Sequence, residues 1–169
     1  MDKYVILVDI DGTIAEVGAR NIKQCIIDEI ERLKQNGHIL VVASGRTYNN
    51  IKCIKGMESF NYIGSMFGNI IFDENGNYVV TGKPMNETDV RKIAEISEKS
   101  GRSFIYKTMF VDKTFGTDER IRAFNNAVKV SREEFGRDMG NNAIFQMLCV
   151  GQVFPNVKEE FKNLEFYQM

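Results

Sequence analysis

The residues of this chain that could do chemistry begin with two aspartates that directly follow an apolar run. The run, residues 4–8, is followed by Asp9, Ile10, Asp11, Gly12 and Thr13. A continuous apolar run is typical of a strand buried on both faces of a parallel sheet. Because side chains alternate along a strand, we expect Asp9 and Asp11 to point to the same side, beyond the carboxyl end of the strand. Two carboxylates are costly there unless a cation or a ligand uses them.

This motif resembles that of a known phosphatase family, and the resemblance implies phosphate chemistry assisted by a divalent cation. A carboxylate that attacks a phosphate ester meets a repulsion of roughly 4 kcal/mol at about 4 Å and an effective dielectric of about 20. Mg²⁺ would offset this repulsion, and it prefers oxygen ligands such as the Asp9 carboxylate and a backbone carbonyl. Gly12 and Thr13 are suited to turn backbone N–H groups toward phosphoryl oxygens. An ordinary acidic turn is the alternative, whereas a calcium loop is excluded because Arg20 stands where that loop needs a glutamate.

A second polar motif follows the next apolar run, residues 39–43. It consists of Ser44, Gly45, Arg46 and Thr47, just before a predicted helix over residues 48–55. The Ser44 hydroxyl and the Gly45 N–H are suited to hold phosphoryl oxygens where charge builds up during transfer. Arg46 could hold the anionic part of a ligand. The alternative is a helix cap by Ser44 beside a solvent-exposed arginine.

These two motifs resemble those of the haloacid dehalogenase-like phosphatases, and the remaining chain looks like their type IIB, Cof-like branch. The resemblance implies that Asp9 is the nucleophile that takes the phosphoryl group and that Asp11 is the general acid and base. It implies a Mg²⁺ ion bound by Asp9 and by the backbone carbonyl of Asp11. It also implies a phosphate- and substrate-binding set made of Gly12, Thr13, Ser44, Gly45 and Arg46. The Asn-Gly pair that the family usually carries near the substrate is replaced here by Phe67-Gly68, with Asn69 as the candidate substitute.

The pattern of elements predicts an α/β fold. By resemblance, residues 1–83 form the N-terminal part of a Rossmann-like parallel core with a β-hairpin flap, and residues 84–169 form an α/β cap domain. In the first part we expect a helix capped by Asn21 and stopped at Asn36-Gly37, then strands at residues 39–43 and 61–64 and a hairpin turning at residues 73–77. In the cap we expect helices over residues 86–100, 118–128 and 156–161, and strands at residues 104–106, 110–111, 144–150 and 164–167. Three cap aromatics are expected to pack inside that domain rather than line a pocket: Tyr106, Phe110 and Phe115.

Two features of the family are missing from the chain. The resemblance implies further core strands after the cap, which carry a lysine and an acidic motif that completes the metal site. Residues 137–142 match that motif only in part, so a polar loop around Asp138 is expected instead. Without those strands the metal shell is incomplete and the Asp9 strand becomes an exposed apolar edge. That edge is expected to pair with a second copy of the chain or with a complementing chain.

The composition excludes several other classes of partner. Acidic and basic residues are interspersed and the net charge is −1, so no nucleic-acid footprint is present. No run reaches membrane-spanning length and no signal segment is visible, so we expect no membrane association and a cytoplasmic location. Three cysteines lie far apart and are expected to be reduced: Cys25, Cys53 and Cys149.

The favoured function is Mg²⁺-dependent hydrolysis of phosphate monoesters in small phosphorylated metabolites through an aspartyl-phosphate intermediate. The alternative is a truncated, non-catalytic remnant that binds a phosphorylated ligand or a partner chain. A phosphate-accepting receiver domain ranks last, because it needs an aspartate at the end of the third strand, where this chain has Ile63, Gly64 and Ser65. The identity of the substrate cannot be read from the sequence.

Overall fold

A computed structural model describes residues 2–101, 103–115, 127–141 and 143–149. Within these ranges the chain forms two β-sheets and the helices that pack on them, so the predicted α/β class is confirmed. The division into a core over residues 1–83 and a cap over residues 84–169 stays a prediction. The elements predicted at residues 156–161 and 164–167 lie outside the described residues, as does the helix predicted over residues 118–128 up to residue 126. The end of that predicted helix is wrong, because Val128 lies in a strand.

The first sheet has five strands in the order β1-β2-β3-β4-β5. Its strands are β1 (Val5–Val8), β2 (Ile39–Ala43), β3 (Tyr62–Ser65), β4 (Ile70–Asp73) and β5 (Tyr78–Thr81). The first three run parallel, while β4 and β5 form the predicted antiparallel hairpin. The Asp73 carboxylate closes the hairpin turn, since its Oδ1 accepts hydrogen bonds from the backbone N–H groups of Asn75 and Asn77 at 3.0 and 2.8 Å.

Helices α1 (Gln24–Gln35) and α2 (Tyr48–Lys52) and a 3₁₀ turn at Met57–Ser59 connect the parallel strands. The prediction that Asn21 caps α1 is wrong, because Lys23 precedes that helix and makes no side-chain cap bond. Asn21 instead forms an isolated parallel β-bridge with Lys55. Helix α2 ends at Lys52, earlier than the predicted residue 55. Helix α1 ends at Asn36 as expected, with Gly37 in the left-handed region that a glycine tolerates.

Strand β1 is less buried than its apolar run predicts. Val5 is 59% exposed and Leu7 is 66% exposed, so the expectation of burial on both faces is wrong. In the part of the chain that the structure describes, β1 pairs with β2 alone, which agrees with the predicted exposed edge. Burial on both faces requires cover on both sides of the sheet, and here only alternate residues of β1 are packed. Pairing of this edge with another chain stays a prediction.

The second sheet has four strands in the order β8-β7-β6-β9. They are β6 (Phe104–Lys107), β7 (Asp112–Phe115), β8 (Val128–Lys129) and β9 (Gln146–Cys149), with helices α3 (Glu87–Lys99) and α4 (Arg132–Gly140). Strand β7 begins later than predicted. The polar loop expected around Asp138 is wrong, because Asp138 lies on α4. A capping pattern in the sequence indicates this helix. The Ser131 side chain accepts a hydrogen bond from the Glu134 N–H, and Phe135 and Met139 are buried one turn apart.

An aromatic cluster fills the second sheet on its helical side. Phe135 of α4 lies 5.2 Å from Phe104 and 5.3 Å from Tyr106 between ring centroids, and it stacks on Phe115 at 5.5 Å. The prediction that Tyr106 and Phe115 pack among the elements of the second sheet is therefore confirmed. The same prediction is wrong for Phe110, because its ring packs against the first sheet. Its centroid lies 6.1 Å from that of Tyr48 on α2 and 6.0 Å from that of Phe72 on β4. Among the described helices, none has the length and apolar character that crossing a bilayer requires.

Two leucines that sit on neighbouring strands of the first sheet test this burial pattern. Leu40 is 1% exposed and Leu7 is 66% exposed. We expect Leu40→Ala to lower the free energy of unfolding by about 2–5 kcal/mol, because it opens a cavity in a packed core. Leu7→Ala serves as the matched control and should change it by no more than about 0.5 kcal/mol. Urea denaturation measures both values, and equal losses would contradict the placement of β1 at a bare edge.

Candidate active site

The two aspartates lie just past β1, on either side of a fully buried isoleucine. Ile10 is 0% exposed, whereas Asp9 is exposed and Asp11 is partly exposed. The turn that follows is closed by the Ile10 carbonyl, which accepts hydrogen bonds from the N–H groups of Thr13 at 3.2 Å and of the next two residues. Gly12 has a φ of +78°, a conformation that a side chain would strain. Its N–H donates to the Ala15 carbonyl at 2.8 Å, so the Gly12 and Thr13 N–H groups are engaged within the turn.

Arg46 joins the two motifs through a bidentate ion pair with Asp11. Its Nε donates to Asp11 Oδ2 at 2.9 Å and its Nη2 donates to Asp11 Oδ1 at 2.6 Å. The two side chains are 22% and 32% exposed, so the pair is partly shielded from water. A planar guanidinium matches a carboxylate through two parallel hydrogen bonds, which fixes both side chains. The structure thus brings Asp11 and Arg46 together, while binding of a ligand anion by Arg46 stays a prediction.

Ser44 is buried and is hydrogen-bonded to the backbone of Arg46, which forms this ion pair. It is 4% exposed, and its Oγ accepts a hydrogen bond from the Arg46 N–H at 3.2 Å. The alternative of a helix cap by Ser44 is wrong, because Thr47 precedes α2 and makes no side-chain cap bond. The Gly45 N–H donates no hydrogen bond among the described residues, so it is available to a ligand.

The Phe67 ring covers Gly45. A Cβ added at Gly45 would lie 2.5 Å from Phe67 Cζ, so the ring occupies the space that any side chain would need. Phe67 itself is 67% exposed and adopts a φ of +58°, which is unusual for a residue other than glycine. Asn69, the candidate substitute for the family's asparagine, packs against Gly82 of the hairpin and not against this motif.

The second sheet also reaches this motif, through a lysine that belongs to none of the predicted motifs. Lys107 is 8% exposed, and its Nζ donates a hydrogen bond to the Gly45 carbonyl. Close by, Asn50 Nδ2 donates to Asp112 Oδ2 at 2.9 Å. Burial lowers the pKa of Lys107, against the opposing charge of Asp112. Burial likewise raises the pKa of Asp112, although Lys107 and Asn50 favour its ionised form.

A cavity of about 290 Å³ opens beside the turn that follows Asp11. It is lined by Gly12, Thr13, Ile14, Ala15, Glu16, Ala19, Asn21, Lys23 and Ile26. Neither Ser44 nor Arg46 contributes to this lining, so the second motif is not part of the cavity.

The oxygen atoms near Asp9 fit a hard divalent cation in part. The Asp9 carboxylate has no hydrogen-bond or ion-pair partner among the described residues, and the Asp11 carbonyl likewise accepts no bond there. Mg²⁺ commonly takes one or two carboxylates and keeps several waters, so these two donors suit it. The ranges that the structure describes contain no group of three or more acidic, histidine or cysteine side chains that could hold a metal.

A double-mutant cycle tests the ion pair between the two motifs. We expect a coupling of about 1 kcal/mol between Arg46→Ala and Asp11→Ala in urea denaturation, because the pair is bidentate and partly buried. The exposed pair Arg91–Glu87 on α3, with side chains 56% and 50% exposed, provides the matched control. Its coupling should be about 0.3–0.5 kcal/mol. A smaller coupling for Arg46 and Asp11 than for the control would contradict the arrangement.

The pH dependence of stability tests the burial of Asp112. Because its pKa is raised in the folded state, that state binds more protons than the unfolded chain above the ordinary value of 3.8, and stability falls as pH rises through the folded pKa. Asp112→Asn cannot titrate, so its free energy of unfolding relative to wild type should increase as pH rises from about 4. Denaturant unfolding from about pH 4 to pH 8 measures this difference.

Asp73→Asn is the matched control for that series. The Asn77 amide lowers the pKa of Asp73, so its titration lies below the ordinary value and its effect should be constant above about pH 5. A pH-independent difference for Asp112→Asn would show that its carboxyl is not buried as described.

Comparison with known proteins identifies the family. A family model described as haloacid dehalogenase-like hydrolase matches residues 6–165. No curated protein sequence matches this chain.

Solved structures share the fold at low sequence identity. A hypothetical protein from Geobacillus kaustophilus HTA426 is 20% identical with a TM-score of 0.71, over 95% of this chain and 60% of that protein. The subclass IIB sugar phosphatase BT4131 is 20% identical with a TM-score of 0.66, over 87% and 57%. TM0651 from Thermotoga maritima is 16% identical with a TM-score of 0.72, over 96% and 63%. The chain thus spans less than two thirds of each of these proteins. Since the family model covers most of the sequence, this chain belongs to the haloacid dehalogenase-like hydrolases.

Proposed function

We propose that this protein hydrolyses phosphate monoesters of small phosphorylated metabolites, with Mg²⁺ as cofactor and Asp9 as the nucleophile. The observation that carries the proposal is the Asp9 carboxylate just past β1, which has no partner among the described residues and follows in sequence on β1 beside the bonded set of Asp11, Arg46 and Ser44. Family membership supports hydrolase chemistry. The activity of related proteins supports phosphate esters as substrates, since one similar structure is a sugar phosphatase of subclass IIB.

The proposed reaction has two displacements at phosphorus. A carboxylate oxygen of Asp9 attacks phosphorus, the ester P–O bond breaks, and Asp11 gives a proton to the leaving oxygen. Asp11 then takes a proton from the water that attacks the aspartyl phosphate, which releases inorganic phosphate and restores Asp9. Asp9 and the Asp11 carbonyl would hold Mg²⁺, which neutralises the charge that the two anions bring together.

Arg46 controls the state of the proposed acid. While its guanidinium is bonded to both carboxylate oxygens, neither oxygen of Asp11 is available to the leaving group. A phosphate group is a competing bidentate partner for the same guanidinium. Binding of the ligand anion would therefore transfer Arg46 from Asp11 to the ligand and free Asp11 for proton transfer. Ser44 Oγ and the Gly45 N–H lie on the same turn and would complete the anion site.

The second candidate function is non-catalytic binding of a phosphorylated ligand or a partner chain. Two observations favour it: the engagement of Asp11 by Arg46, and the lack of a third acidic group beside Asp9 within the described residues. A metal shell with fewer protein ligands binds the cation more weakly, which would slow chemistry without preventing anion binding.

Replacement of Asp9 separates the two functions. We expect Asp9→Asn to reduce Mg²⁺-dependent phosphate release from p-nitrophenyl phosphate by about a thousandfold or more, because an amide cannot form the covalent intermediate. Asp28→Asn, an exposed residue of α1, is the matched control and should retain wild-type turnover.

The assay is run on the purified chain with and without Mg²⁺. Turnover by the wild-type chain that disappears in Asp9→Asn contradicts the non-catalytic alternative. Turnover that survives in Asp9→Asn contradicts the proposed mechanism. Binding of inorganic phosphate by a chain without turnover favours the binding function.

A further inference from the structure

One face of the first sheet carries apolar side chains that no described element covers. Strand register puts four exposed apolar residues on this face: Val5 and Leu7 of β1, Ile39 of β2 and Val80 of β5. Each is between 41% and 66% exposed. Partly exposed residues of the middle strands complete the surface, namely Val41, Tyr62 and Ile71. We call this surface the open face.

Helices α1 and α2 pack on the opposite face of the sheet. Ile30 of α1 and Ile51 of α2 belong to the same buried cluster as Leu40, Val42 and Phe72. Right-handed connections that step in one direction across a parallel sheet place their helices on one face. Because β1, β2 and β3 follow each other in that way, their connections leave the open face bare. An apolar surface that spans five strands indicates an interaction site.

The charges around the open face are divided between its two sides. Lys3 is exposed just before β1, and its Cε would lie 3.1 Å from a Cβ added at Gly37. At the same end of the sheet, Glu74 is exposed in the hairpin turn between β4 and β5. There it helps to line a cavity of about 330 Å³, to which Ile39 and Tyr62 contribute apolar surface. This end of the open face is therefore basic on the β1 side and acidic on the β5 side.

A second copy of the chain presents the surface that this pattern requires. A two-fold axis parallel to the strands turns the sheet over, keeps the strand directions and exchanges the two sides. The β1 side of one copy then faces the β5 side of the other, and β3 faces its own counterpart. Lys3 of each copy lies opposite Glu74 of the partner subunit, so the same charge pair forms twice.

We propose that the open face is a homodimer interface, in which two copies stack their first sheets about a two-fold axis parallel to the strands. The arrangement is that of an aligned β-sandwich, whose facing side chains interdigitate. It differs from pairing at the β1 edge, because it covers Val80 on the far strand as well as Leu7. The inference goes beyond the proposed function and does not depend on it.

Other partners fit the charges of this surface less well. A membrane-binding surface is rimmed by lysine and arginine, and a nucleic-acid site is basic throughout. The open face instead has Lys3 at one corner and Glu74 at another, with Asp9 directly past β1. An anionic lipid or a phosphate backbone would meet repulsion at both acidic positions.

The size of the sheet indicates how strong the interface is. Five strands about 4.8 Å apart, with about 3.3 Å per residue along each, give a face of roughly 24 by 13 Å. Its accessible area exceeds this footprint and still lies at the low end for protein interfaces, where about 800 Å² per partner is standard. We therefore expect a reversible dimer with a Kd on the order of 10–100 µM.

Sedimentation equilibrium of the purified chain over about 1–300 µM tests the dimer. We expect Val80→Lys to raise the Kd by about tenfold or more, because it places an ammonium group against the apolar side chains of the partner subunit. Val17→Lys is the matched control, since Val17 is 82% exposed and lies outside the sheet. It should keep the wild-type Kd.

Charge reversal tests the orientation of the two copies. Lys3→Glu and Glu74→Lys should each raise the Kd by about fivefold, because each replaces two attractions by two repulsions. The double variant restores opposite charges at both contacts and should return the Kd to within about twofold of wild type.

Each result bears on the proposal directly. A chain that stays monomeric at the highest concentration overturns it, and so does a dimer that is unchanged in Val80→Lys, which would point to the β1 edge. Failure of the double variant to restore the Kd contradicts the proposed axis. Urea denaturation checks that every variant is folded, which we expect because the replaced side chains are exposed. None of these results alters the phosphatase proposal.

Discussion

The parallel pairing of β1 with β2 is the constraint on which the whole arrangement depends. Its register aligns Val8 with Val42, so both strands end at the same level of the sheet. The turn after β1 and the turn after β2 therefore meet at one edge, although 35 residues separate Asp11 from Arg46. A shift of one residue would turn every side chain of β1 to the opposite face and would separate the two motifs. The buried side chains of the sheet, such as Leu40 and Val42, keep that register fixed.

The ion pair between Asp11 and Arg46 depends on this register in turn. A bidentate bond needs the guanidinium and the carboxylate in one plane at close range, which two independent loops would not provide. Ser44 contributes by holding the Arg46 backbone, and Phe67 covers the glycine between them. The local geometry thus follows from backbone bonds and ring packing more than from charge. The charges of Asp11 and Arg46 determine how the ion pair responds when an anionic ligand approaches.

Local sequence patterns predicted those parts of the fold and site whose cause is local. The strands beside the two motifs, the hairpin at Asp73 and the glycine stop at Gly37 follow from apolar runs and turn residues. The prediction that β1 is buried on both faces was wrong, because an apolar run does not reveal which other elements cover the strand. Helix α4 was not predicted, because residues 137–142 partly match an acidic motif and the Ser131 cap that begins the helix lies outside that match.

The contribution of the second sheet to the site had no local signal. Lys107 ends an apolar strand, and only the packing of one sheet against the other brings it to Gly45. The position of Phe110 likewise had no local signal, since its ring lies against Tyr48 of α2 and not within the aromatic cluster of the second sheet. Contacts between the two sheets join residues that are far apart in the chain, and the periodicity of apolar residues in the sequence does not predict such contacts.

The burial of Lys107 and Asp112 has a consequence for any movement that separates the two sheets. Burial lowers the pKa of Lys107 and raises the pKa of Asp112, so exposure to water would return both toward their ordinary values. The lysine would then gain affinity for a proton while the aspartate lost it. Opening the junction would therefore favour the charged form of each group.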